Sequence, residues 1–131
     1  MSSQGKLTYN NKQKLKSRKL IEQLFSNGKQ VQRFPVKALY SFVDNSSSLV
    51  QAGVAVSSRN FKKAVDRNRI KRILRESFRL QKTELEKKLQ DSNRSLIVFF
   101  IYSGREIEGF ASVKDKMGIL LKKLTTITSS Q

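Results

Sequence analysis

The stretch Ser95-Leu96-Ile97-Val98-Phe99-Phe100-Ile101-Tyr102 decides the architecture of this chain. Its apolar run, Leu96 to Ile101, is far short of the about 20 residues that span a bilayer, and it is too β-branched and aromatic to favour a helix. A short unbroken apolar run reads as a strand covered on both faces. Such a strand lies inside a sheet, so the flanking sequence must supply neighbouring strands and the layers that cover them.

Upstream, Phe61 to about Gln90 carries the longest helical pattern in the chain. At about 100° per residue, with Arg67 at zero, Ile70, Ile73, Leu74 and Phe78 fall within an arc of about 140° that faces a core. Asn68, Arg72, Arg75 and Arg79 fall on the opposite side within about 60°, flanked by Lys71 and diluted only by Glu76. Further upstream, Leu49 to Ser57 reads as a strand, Asp44 to Ser48 as a turn, and Val36, Ala38, Tyr40 and Phe42 alternate with Lys37, Leu39, Ser41 and Val43 as a second strand. Gln30 to Phe34 is a candidate short strand before Pro35. The first helix is expected over about Gln13 to Asn27, where Leu20, Ile21, Leu24 and Phe25 form one stripe and Gly28 stands at the stop. Downstream, Phe110, Val113, Met117, Leu120, Leu121 and Leu124 define a last helix.

This order predicts an α+β chain: a single-domain α/β sandwich over residues 1–131, with a mixed sheet of about four strands and three helices. Residues 1–11 are expected to be a mobile N-terminal arm and 125–131 a frayed C-terminal tail.

The charge is uneven. Of 27 Lys and Arg against 10 Asp and Glu, residues 1–40 hold nine basic and one acidic side chain, and residues 59–82 hold ten basic and two acidic. Two basic segments on a formal net charge of +17 point to an oriented polyanion-binding face more than to general solubility. The chain has no Cys and no His, which removes disulfides, thiolate nucleophiles, the usual zinc ligands and the side chain best suited to proton transfer at neutral pH. There is no signal-like apolar start, no phosphate-cradling glycine loop and no catalytic constellation, so no catalytic residue and no metal ligand is assigned. A cytoplasmic location is the simplest expectation, with no membrane partner.

The segment from Ser57 to Arg72 contains Lys63-Ala64-Val65 followed by Arg67-Asn68-Arg69-Ile70-Lys71-Arg72. In order and spacing this resembles the signature of the protein component of bacterial ribonuclease P. The resemblance extends to Leu24-Phe25 three residues before Gly28, to Val54–Ser57 before the motif and to Leu96–Ile101 after it, covering roughly residues 13 to 125. Departures are Ile21, where an aromatic is common, Ser58-Arg59 in place of two lysines, and the loop Tyr102-Ser103-Gly104-Arg105.

The resemblance implies a left-handed β-α-β crossover of the kind found in the second domain of ribosomal protein S5, against the general right-handed rule. It also implies two partners, the ribonuclease P catalytic RNA and precursor tRNA, with no obligate protein partner. Arg59, Lys62, Lys63, Arg67, Asn68, Arg69, Lys71, Arg72, Arg75 and Arg79 are the expected RNA-binding residues, since guanidinium groups fork onto phosphate oxygens. Phe25, Lys37, Tyr40 and Phe42 are the expected contacts to the single-stranded 5′ leader, where rings stack on bases and cations follow the backbone. The implied reaction is endonucleolytic removal of the leader to give the mature tRNA 5′ end, with Mg²⁺ held mainly by the RNA partner. The alternative left open by the residues is a non-enzymatic structured-RNA-binding protein, such as a ribosomal or RNA-chaperone protein.

Overall fold

The computed structural model describes residues 18–43 and 49–129; the expected arm, the first residues of the first helix and the turn at Asp44–Ser48 lie outside them. In chain order the elements are α1 (Arg18–Asn27), β1 (Lys29–Arg33), β2 (Val36–Val43), β3 (Val50–Val56), α2 (Ala64–Gln81), α3 (Thr83–Asp91), β4 (Ser95–Tyr102) and α4 (Phe110–Ser129). The sheet runs β1-β2-β4-β3, with β1–β2 and β2–β4 antiparallel and β3–β4 parallel. This is the expected α+β architecture with a mixed four-stranded sheet. β4 is an inner strand, as its apolar run requires.

Register assigns the faces, because residues paired across strands point the same way. Val36, Ala38, Tyr40 and Phe42 pair with Tyr102, Phe100, Val98 and Leu96 on one face. Together with Val50 and Ala52 they meet Ile70, Leu74 and Phe78 of α2, Leu85 and Leu89 of α3 and Val113 to Leu124 of α4 in the main core. The other face carries Leu39, Val43, Ile97 and Phe99, over which α1 lays Leu20, Ile21 and Leu24 in a second, smaller cluster. Three layers result, with α1 on one side of the sheet and, among the described residues, the other helices on the opposite side. Gly28 ends α1: its N–H bonds Leu24 O at 2.8 Å, and a Cβ built there would lie 2.3 Å from that oxygen.

Two expectations about the helices change. The pattern from Phe61 to Gln90 is two helices, broken at Lys82, so there are four helices among the described residues instead of three. An 18-residue helix is about 27 Å long, close to the about 26 Å of an eight-residue strand. Continued straight, it would carry Leu85 and Leu89 past the sheet; the break returns both to full burial in the core. Lys82 at the joint is itself only 1% exposed, and its ammonium bonds both carboxylate oxygens of Glu86, at 3.3 and 3.1 Å. The second change is at the end of the chain, where α4 continues through Thr125 to Ser129. Ile127 packs on the core, and buried Thr128 donates to Leu124 O at 2.8 Å.

Candidate nucleic-acid interface

The interface is built outward from the start of α2. Phe61 anchors it: the ring is buried edge-on against Tyr102 at 5.9 Å between centroids. The helix N-cap is Lys63, which makes no side-chain capping bond, so the positive end of the helix dipole opens among the exposed side chains of Arg59, Lys62 and Lys63. Along α2, Asn68, Arg69, Arg72 and Arg75 are exposed and Lys71 is half-buried. None of these four cations has a carboxylate partner among the described residues. The ridge expected from helical spacing is therefore present, with donors available to an outside acceptor.

Two of the expected RNA contacts are engaged elsewhere. Arg67 is half-buried and turns back on its own chain: its Nη1 donates to the carbonyl oxygens of Phe61 and Lys62, both at 2.8 Å. Arg67 thus ties the first turns of α2 to the segment that carries Lys62 and Lys63, a bracing role that its place inside the apolar arc explains. Arg79 lies across Glu76, with Nε at 3.1 Å and Nη2 at 2.5 Å from its two oxygens. Hydrogen bonding from Arg79 holds the Glu76 carboxyl below the usual carboxylate range, and the far end of the ridge is in part neutralised.

The residues expected to contact a leader divide between the two faces of the sheet. Phe25, on α1, is 54% exposed and sets its ring edge-on against Phe99 at 5.4 Å. Lys37 pairs with Ile101 on this same face, and Ala55 of β3 also pairs with Ile101. All three are half-buried, forming a shelf beside the helix. Tyr40 and Phe42 do not join them. They lie on the opposite face in the main core, edge-on to each other at 6.1 Å, and the Arg94 guanidinium sits 3.5 Å over the Phe42 ring. The expectation that these two rings contact a leader is corrected by strand parity: even-numbered positions of β2 face α2 and α4. Phe99 takes their place beside Phe25, and the only signal for it was its position in the apolar run.

Among the described residues no three His, Cys, Asp or Glu side chains converge on a point that could hold a metal ion. Glu106 and Glu108 are close in sequence, but Glu108 is held by the Ser112 hydroxyl and by Lys116, whose bonds keep its carboxyl below the usual range. These residues do not fit a Mg²⁺ site.

Fold and charge together define a basic three-layer α+β protein that carries a cationic helix ridge on α2, which packs on one face of the sheet, and a partly open aromatic site on the other face. The profile of the family described as Ribonuclease P matches residues 9–125. The ribonuclease P protein component of Caldanaerobacter subterraneus subsp. tengcongensis is 37% identical over 112 residues, covering 84% of this chain and 87% of its own length. That of Porphyromonas gingivalis is 28% identical over 118 residues, covering 89% and 86%. Among solved structures, the RNase P protein from Thermotoga maritima superposes with a TM-score of 0.65 at 26% identity, over 84% of this chain and 96% of that one. The RNase P protein of Staphylococcus aureus shares the fold at a TM-score of 0.66 and 18% identity, over 85% and 94%. The chain belongs to the bacterial ribonuclease P protein component family.

Proposed function

We propose that this chain binds the ribonuclease P catalytic RNA through the α2 ridge and the 5′ leader of precursor tRNA across the α1 face of the sheet. In this reading it assists Mg²⁺-dependent removal of the leader without attacking the phosphodiester bond itself. The observation that carries the reading is the set of α2 cations with no carboxylate partner among the described residues, in a chain of net charge +17, together with an exposed aromatic edge at Phe25 and Phe99 on the other face of the sheet. Cations on a rigid helix neutralise RNA phosphates and release counterions. A ring that stays half in water offers a stacking surface to an unpaired base. No carboxylate cluster suited to Mg²⁺ is present among the described residues, so the ion belongs to the RNA in this proposal. A cytoplasmic location goes with it, and no helix among the described residues is long and apolar enough to cross a membrane.

Reconstitution with a bacterial ribonuclease P RNA tests the reading directly. Cleavage of precursor tRNA that the protein fails to stimulate at physiological Mg²⁺ would favour a non-enzymatic RNA-binding role. Phe25→Ala is expected to weaken binding of leader-bearing tRNA by about 1 to 3 kcal/mol while leaving mature tRNA unaffected. Equal loss for both ligands would return Phe25 to a packing role.

Arg67 gives a separate expectation. Arg67→Gln removes the brace without removing a phosphate contact. It should lower both thermal stability and affinity for the catalytic RNA while leaving the salt dependence of that affinity unchanged. A reduced slope, measured from binding at several salt concentrations, would place Arg67 on the RNA instead.

A further inference from the structure

The loop from Ser103 to Gly109, between β4 and α4, has no regular structure, yet its backbone is pinned at several points. Ser103 donates to Pro35 O through both its N–H, at 2.8 Å, and its hydroxyl, at 3.2 Å. The Asn60 amide donates to Gly104 O at 3.2 Å, tying the loop to the segment that leads into α2. The Tyr102 hydroxyl donates to Glu106 O at 2.6 Å and accepts from Glu108 N–H at 3.0 Å. Gly104 is buried at the base of the loop, where a Cβ would come within 2.9 Å of Pro35 Cβ and 3.2 Å of the Tyr102 ring.

Over this fixed frame lies a pocket of about 350 Å³, lined by Phe34, Ser103, Gly104, Arg105, Glu106 and Glu108. Phe34 is 60% exposed at the β1–β2 corner, a position where burial cannot be its purpose. The side chains of Arg105 and Glu106 are exposed and have no hydrogen-bond or ion-pair partner among the described residues. A backbone-pinned loop that presents a guanidinium and a carboxylate to one cavity, faced by the Phe34 ring from the β1–β2 corner, is preorganised for a planar, hydrogen-bonding ligand. We propose that this pocket takes one unpaired nucleobase of a bound RNA, with guanine favoured.

The chemistry selects the base. Phe34 and Arg105 supply the ring and the guanidinium plane on which splayed-out bases stack. Glu108 is already held by Ser112 and Lys116, which leaves Glu106 as the acceptor. Guanine presents N1–H and N2–H side by side, and one carboxylate accepts both. Uracil presents a single N3–H between two carbonyl oxygens that the carboxylate repels. The site lies just past the end of β4, two residues beyond Ile101, and is lined by residues of neither α1 nor α2. It rests on the proposed RNA-binding function only for the source of the base.

The test uses the full ¹⁵N-labelled chain titrated separately with GMP and UMP, following backbone amide shifts. GMP should move Gly104, Arg105 and Glu106 and bind roughly three- to tenfold more tightly than UMP. Phe34→Ala, at an exposed position, should abolish these shifts, and Glu106→Gln should remove the preference for GMP. Equal affinity for the two nucleotides, shifts confined to α1 or α2, or an unaffected Phe34→Ala variant would overturn the proposal. Binding of the catalytic RNA by the unsubstituted chain, measured in parallel, is independent of these outcomes; its absence would remove the RNA-binding function and leave the pocket standing.

Discussion

Replacing Arg69, Arg72 and Arg75 together by Ala is expected to reduce the salt dependence of catalytic-RNA binding by about two to three units in the slope of log K against log salt. Each neutralised phosphate contributes about 0.7 to 0.9 of such a unit through counterion release. At about 0.1 M salt a unit of slope corresponds to about tenfold in affinity, so the triple variant should bind roughly 10² to 10³ times more weakly. Its unfolding midpoint should stay near that of the unsubstituted chain. All three side chains are exposed and unpaired among the described residues, and surface substitutions of this kind cost within about 0.5 kcal/mol each. Lys87 and Lys122 supply the control, since both are exposed cations away from the ridge, on α3 and on α4. Their joint replacement by Ala removes two positive charges against three and should leave the slope nearly unchanged. Slope changes in the ratio of the charges removed, two to three, would mean that the RNA responds to overall charge and that the ridge is no oriented surface.

The sequence made some of these features plain and concealed others for identifiable reasons. The strands at Val36–Val43 and Ser95–Tyr102 were legible to the residue because alternation and an unbroken apolar run leave little choice of period. Which face of β2 meets α1 was not legible. Leu39 and Val43 are as apolar as Val36 and Ala38, and a sheet covered on both sides gives no inside-outside contrast along a strand. Tyr40 and Phe42 were grouped with Phe25 on that account. The break at Lys82 was hidden in a similar way, since Leu85 and Leu89 continue the apolar arc of α2 in phase, and only the length of the sheet requires a turn there. Arg67 is the instructive case among the candidate site residues. Its angle places it within the apolar arc, beside Leu74 and Phe78, and a guanidinium in such a position reaches for backbone oxygens before it reaches solvent. The angular calculation already held that information; the motif, read as a string of cations, did not.

The second large expected effect separates two adjacent rings of β4. Phe100 is fully buried, pairs with Ala38 on β2 and Val54 on β3, and tilts against Phe78 at 5.5 Å between centroids. Phe100→Ala should cost about 3 to 5 kcal/mol of unfolding free energy, because strands on both sides hold the cavity open and the small Ala38 cannot fill it. Phe99 points the other way, is half-buried, and meets Phe25 edge-on. Phe99→Ala should cost well under half as much in stability, since the ring keeps part of its contact with water in the folded state. The same variant should lose the preference for leader-bearing over mature tRNA, because Phe25 then has no ring to set its orientation. Urea unfolding of both variants, with tRNA binding measured on each, compares the two positions directly. If Phe99→Ala proved the more destabilising, or if Phe100→Ala altered leader discrimination while Phe99→Ala did not, the two faces of the sheet would have to be exchanged, and with them the placement of every leader contact proposed on the α1 side.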